Sequence, residues 1–108
     1  MEAFALPHQH GGGAHAEELE RYLNRMEDFQ TVTLVFRQLA DASRVRLFWL
    51  LCHCEECVVN LAAMMGMSPP ALSHHLRQLR ESRLIVSRRD GKEVYYKAAE
   101  SEQAQLLH

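Results

Sequence analysis

Apolar positions recur at helical spacing along most of this chain. Leu19, Tyr22, Leu23 and Met26 stand at i, i+3, i+4 and i+7, which puts them on one face of an amphipathic helix. Phe29, Val32, Phe36 and Leu39 extend a second helical stripe after a break near Asp28. Asp41 and Ser43 are N-cap residue types ahead of a third helix. Its Val45, Leu47, Phe48, Trp49, Leu50 and Leu51 are apolar all round, so this helix is expected at the buried centre of the core. Val58, Leu61, Ala62 and Met65 repeat the helical spacing, and Gly66 ends that short element. Ser68 then caps a new helix with Pro69 at its first position, where the missing N–H is no loss. Beyond Leu84 the period changes. Residues 85–89 and 92–97 flank Asp90-Gly91, which predicts a β-hairpin with that dipeptide as the turn. The last ten residues fit a short helix.

Three helices, a short helix, a tight turn, a further helix and a hairpin make a mainly α domain with a small β-hairpin. That order is a winged helix-turn-helix. Residues 1–14 hold Pro7 and a run of three glycines, and read as a flexible N-terminal arm. Residues 15–108 read as the folded domain. A chain of 108 residues has room for one modest core, and dimerisation would add to its buried surface. No run of about 20 apolar residues would span a bilayer. No basic, then apolar, leader opens the chain, so a cytoplasmic protein is expected.

The net charge of −2 conceals an uneven distribution. Residues 69–97 carry seven Lys/Arg against three Asp/Glu, whereas residues 17–28 carry five acids against two arginines. Binding depends on the local patch. In the helix after Ser68, Leu72, Leu76 and Leu79 form a core face. Pro70, Ser73, His74 and Arg77 occupy another side with Gln78 beside them. Arg and Gln can bond base edges in the major groove, and Ser can reach phosphates. Arg88, Arg89 and Lys92 stand around the hairpin tip, suited to gripping the DNA backbone. Ser68 joins this set at the helix start. A solvated polar helix face and an exposed turn would look similar residue by residue. The combination favours double-stranded DNA. His75, flanking the leucines, reads as a structural histidine.

Cys52, Cys54 and Cys57 crowd into six residues. An odd, clustered set is unlike a secreted disulfide framework and points to metal or redox chemistry. Thiolates are soft ligands for zinc, cadmium and lead. Three thiolates alone also suit As(III) or Sb(III), while tetrahedral zinc needs a fourth ligand. In a continuous helix Cys52 and Cys54 would point to nearly opposite sides, so a shared ion requires the third helix to end there. Cys57, at the start of the next helix, would lie where the helix dipole favours thiolate. His53 is the best-placed extra ligand, ahead of His8, His10 and His15 in the arm. The bland alternative is a small core cysteine with two incidental neighbours. No organic cofactor is called for.

The stretch LADASRVRLFWLL, then ECVVNLA, then MSPPALSHHLRQLRESRLIVSRRDGKEVYYKA resembles the ArsR/SmtB family of metal-responsive winged-helix repressors. The likeness covers residues 39–98. It implies a homodimer that binds a palindromic operator and releases it when metal binds, with the dimer contact on the first and last helices. The family's Glu-Leu-Cys-Val-Cys-Asp-Leu segment corresponds here to EECVVNLA. Cys57 aligns with its first cysteine, while Val59 and Asn60 replace the second cysteine and the Asp. The Cys-x-Cys-x-x-Cys spacing is that of some arsenic sensors in the family, displaced by about five residues. Arg83 stands where the family has Gly, and is expected to alter the turn but not the fold. Glu100 and Glu102 fall near two positions of a second family site on the C-terminal helix, but that site is not expected here.

Two other readings share the fold. The cysteines would form an oxidation or persulfide switch, with Cys57 pairing to Cys54. Alternatively the winged helix would serve protein contacts with no DNA at all. Catalysis is not expected, because no nucleophile–base pair or phosphate-binding loop is visible.

Overall fold

The computed structural model describes residues 7–8, 13–101 and 104, with the backbone alone for residues 13–15. Most of the expected arm, including His10, lies outside the described residues. Eight elements follow in order: α1 (Gly13–Leu23), α2 (Met26–Gln38), α3 (Ala42–Leu51), β1 (Glu56–Cys57), α4 (Val58–Met65), α5 (Pro69–Glu81), β2 (Ile85–Asp90) and β3 (Glu93–Ala98). Helix α1 begins two residues before the expected His15. The first break falls at Asn24 and Arg25, earlier than Asp28, and there the Asn24 side chain donates to the Glu20 carbonyl at 2.9 Å. None of the described helices is long and apolar enough to cross a membrane.

The chain divides into two compact units, Met1–Thr31 and Val32–His108. Within the first, Leu19, Tyr22, Leu23, Met26 and Phe29 are exposed. Within the second, a single apolar core gathers Val35, then Leu47, Phe48 and Leu51 of α3, Leu61, Ala62 and Met65 of α4, and Leu72, Leu76 and Leu79 of α5. Leu84, Ile85 and Ala104 complete it. Each fully buried leucine contributes roughly 1.5–3 kcal/mol relative to exposure.

Helix α3 is not buried all round. Val45 and Trp49 keep 44% and 63% of their surface exposed, while Leu47, Phe48 and Leu51 turn inward. An apolar sequence has no polar side to mark which face meets solvent, so the pattern alone could not locate this one. Asp41 caps the helix as expected: its carboxylate accepts the Arg44 N–H at 3.0 Å. That bond, more than any other effect, holds the Asp41 carboxyl below its ordinary value of 3.8.

The sheet holds three strands in the order β1-β3-β2, all antiparallel. The hairpin was expected; β1, two residues long, was not. Asp90 pairs with Glu93, so the two-residue turn is Gly91-Lys92, one position later than Asp90-Gly91. Gly91 takes φ 64° while Lys92 is not among the positive-φ residues, the combination of a type II′ hairpin turn.

Arg83 has φ 61°, in the left-handed region. It follows the end of α5, and its N–H bonds the Arg80 carbonyl at 3.0 Å. The turn is therefore one that glycine commonly forms, and here an arginine is held in it. Its carbonyl accepts the Ser101 hydroxyl at 2.6 Å, and Ser101 Oγ in turn accepts the Ala104 N–H at 3.1 Å. Ala104 is helical, in line with a short C-terminal helix; residues 102–103 and 105–108 lie outside the described set.

Two measurements test this account. Left-handed backbone costs a non-glycine residue about 1–2 kcal/mol, of which glycine's own entropy takes back about 0.5–1. Arg83→Gly should thus raise unfolding stability by about 0.5–1 kcal/mol in urea titration, with a Tm higher by a few degrees; a loss of stability would show that the side chain outweighs the backbone. Asp41→Ala should cost about 1 kcal/mol at neutral pH, and Asp41→Asn far less. Because the folded Asp41 pKa is depressed, its contribution is present above the ordinary 3.8 and fades as pH falls through the folded value. The margin of wild type over Asp41→Ala should shrink in acid, whereas that of Asp41→Asn should stay level.

Candidate nucleic-acid interface

Helix α4, the turn at Gly66 and helix α5 form the helix-turn-helix. Gly66 closes α4 in the left-handed conformation at φ 66°, where glycine carries no Cβ penalty. Ser68 Oγ accepts the Ala71 N–H at 3.3 Å and Pro69 occupies the first turn. Ser68 thus serves first as a cap, with its hydroxyl proton still free to donate. Leu72, Leu76 and Leu79 are 0%, 2% and 0% exposed. Pro70, Ser73, His74 and Arg77 are exposed, and Gln78 is half-buried. The two faces expected of α5 are both present. His75 is half-buried, and its Nδ1 is enclosed without a hydrogen-bond partner. Its ring lies 5.8 Å from that of the exposed His74.

The wing separates its cations. Arg88 lies opposite Tyr95 and Arg89 opposite Val94, so alternation along the strand sends the two arginines to opposite faces. Arg88 lies over the Tyr95 ring at 4.8 Å. It also donates from Nε and Nη2 to Glu55 Oε1, at 3.0 and 2.6 Å, and sits 3.8 Å from Asp90. That side-chain bond holds the Glu55 carboxyl below its ordinary value and the Arg88 guanidinium above its own. Arg89 and Lys92 are exposed. Of the three expected phosphate-gripping cations, one is therefore already engaged within the protomer.

The cysteine loop lies between α3 and α4. Cys52 is the C-cap of α3, so the helix does end where a shared site would need it to. Cys52, His53 and Cys54 line a cavity of about 550 Å³ together with Glu55, Lys97 and Glu100. Cys57 is not among its walls. It is buried, takes the N-cap position of α4 and pairs with Tyr95 of β3. All three cysteines are free thiols. Among the described residues no three His, Cys, Asp or Glu side chains are placed to hold a metal ion, so the expected three-thiolate cluster is not assembled in this protomer. Burial pushes the Cys52 thiol up, and burial followed by the Glu56 charge does the same to Cys54. His53 packs on Trp49 with ring centroids 4.6 Å apart. His8 is exposed, and of His15 only the backbone is described.

Two residues read from the sequence only as part of an irregular corner, Glu55 and Glu56, organise this loop through their hydrogen bonds. Glu56 accepts the Cys57 N–H at 3.1 Å and the Asn60 side chain at 2.9 Å, tying the start of α4. The spacing of Glu56 and Asn60, four residues apart at a helix start, was a usable signal. Glu55 bonds an arginine 33 residues away, and no local pattern announces such a pair.

Comparison with known proteins gives concordant results. The model of the bacterial regulatory proteins of the arsR family matches residues 41–87. The regulator KmtR of Mycobacterium tuberculosis is 42% identical over 76 residues, which are 70% of this chain and 58% of KmtR. The aligned part is thus little more than half the length of that relative. The cadmium resistance transcriptional regulatory protein CadC of Listeria innocua is 33% identical, over 76% of this chain and 71% of CadC. Among solved structures, the homodimeric winged helix-turn-helix DNA-binding domain of Mb0332 from Mycobacterium bovis superposes with a TM-score of 0.71 at 28% identity, covering 78% of each chain.

Proposed function

This chain belongs to the ArsR family of bacterial regulatory proteins, and we propose on that footing that it is a homodimeric transcriptional repressor that binds a palindromic DNA operator. The observation that carries the reading is the two-faced α5. Three buried leucines lock its rotation, and Pro70, Ser73, His74 and Arg77 are left outside with Gln78 at their edge. Arg77 and Gln78 read base edges, while Ser68, Ser73, Arg89 and Lys92 hold the DNA backbone. Two copies of α5 in a two-fold dimer meet successive major grooves about 34–36 Å apart. Exposed apolar residues along the first two helices, Leu19, Leu23, Met26, Phe29 and Phe36 among them, favour burial against a second copy.

The second part of the proposal is the inducer, a thiophilic metal or metalloid acting at the cysteine loop: As(III) or Sb(III), or Cd(II), Pb(II) or Zn(II). Three thiols within six residues and the naming of a cadmium-resistance relative support it. The described geometry does not: Cys52, Cys54 and His53 share a cavity from which Cys57 is absent. Among the described residues neither the three thiols nor Cys52, Cys54 and His53 are placed to hold an ion, so binding at this loop requires the ligands to be drawn together, Cys52 and Cys54 first.

Operators selected from a random duplex library, then measured by fluorescence anisotropy across salt, test the first part. An inverted repeat should emerge. Arg77→Ala should weaken that site by about 1–3 kcal/mol and relax its sequence preference. Lys92→Ala should weaken all sequences alike and reduce the salt slope by about 1. No sequence preference and no salt dependence would leave a protein-contact module.

The second part is tested by counting thiols protected in fully reduced protein titrated with arsenite, cadmium or zinc. Protection of Cys52 and Cys54 by one ion per subunit is the expected outcome, and operator release should follow the same titration. Free reaction of all three thiols with every ion would overturn it.

A further inference from the structure

Besides the pairing of β1 with β3, the wing and the cysteine loop are joined by a side-chain ion pair far apart in sequence, Glu55–Arg88. Both Nε and Nη2 of Arg88 converge on a single carboxylate oxygen, at 3.0 and 2.6 Å. Tyr95 lies beneath the guanidinium at 4.8 Å and Asp90 lies 3.8 Å to one side. An anionic oxygen held by two guanidinium N–H groups is also how arginine holds a phosphate. The Arg88 side chain is 52% exposed and that of Glu55 28%, so the cation stands at the surface with the Nε–Nη2 edge of its guanidinium already engaged. Arg89 and Lys92, on the same hairpin, form no ion pair among the described residues.

Resting on the DNA-binding reading above, we propose that Glu55 acts as a built-in phosphate mimic, withholding Arg88 from the DNA backbone. The wing's grip then depends on where the cysteine loop sits. Glu55 lines the same cavity as Cys52 and Cys54, so a displacement of that loop changes how many cations the wing offers to DNA. Exposed ion pairs are weak, and a phosphate competes with this one on nearly equal terms. Glu55 is a positioning residue here: it touches no DNA, and its effect passes through Arg88.

The test is a double-mutant cycle on the full chain, read as anisotropy of a labelled operator between about 50 and 200 mM KCl. Glu55→Gln keeps the shape and removes the charge. It should bind about 2–5-fold tighter at low salt, with a log K against log salt slope steeper by about 0.9, the signature of one more neutralised phosphate. Arg88→Ala alone should change affinity by less than about twofold, because its cation is already engaged. Glu55→Gln/Arg88→Ala should lose the gain entirely. Glu55→Ala provides an independent route to the same released cation, and circular-dichroism melting checks that each variant is folded. The proposal is overturned if Glu55→Gln leaves the slope unchanged, if it weakens binding, or if its gain survives without Arg88, which would be a general charge effect. Absence of salt-dependent DNA binding by the wild type would instead overturn the functional reading, and this inference with it.

Discussion

Burial of Leu72, Leu76 and Leu79 against α3, α4 and the start of β2 governs everything that α5 presents to the outside. A helix with three leucines sunk in a common core cannot rotate without exposing one of them, and each exposure would cost more than a typical surface contact returns. The same constraint fixes which residues face outward. Ser68 and Gly66 set where the helix starts, Ser82 where it stops, and the leucines set its angle. The face proposed to read bases is thus settled by apolar packing and capping, which demand nothing of the DNA.

A second organising element is β3. It is the central strand, and Tyr95 stands opposite Arg88 on one side and Cys57 on the other. Through it the start of α4, the cysteine loop and the wing share a single register. The short β1 is thus more than an incidental pairing, because it fastens the loop carrying the thiols to the strand that carries the wing.

Much of this was legible in the residues. The caps at Asp41 and Ser68, the glycine stop at Gly66 and the two faces of α5 follow from spacing and residue type, since each depends on neighbours within four positions. The illegible features are those decided at a distance. Which side of α3 is exposed depends on what packs against it, and its uniformly apolar sequence carries no mark of that. The strand at Glu56 and Cys57 exists because β3 arrives beside it from residues 93–98. The grouping of Cys52 and Cys54 without Cys57 follows from the same pairing, which takes Cys57 into the sheet. The Arg83 departure shows a different limit: the family resemblance identified the odd residue, while its backbone conformation had to be seen.

Among the described residues the order β1-β3-β2 leaves one long side of β2 unpaired. An open strand edge is a template on which another chain can add, and proteins blunt such edges with charge. Here the edge runs through Arg88, Arg89 and Asp90, all exposed. A foreign strand docking there would have to bring its own side chains past charged groups along half the strand's length. The arginines proposed for the wing's grip on DNA thus also oppose edge-to-edge pairing of the sheet, and substitutions that neutralise them are expected to lower solubility as well as affinity.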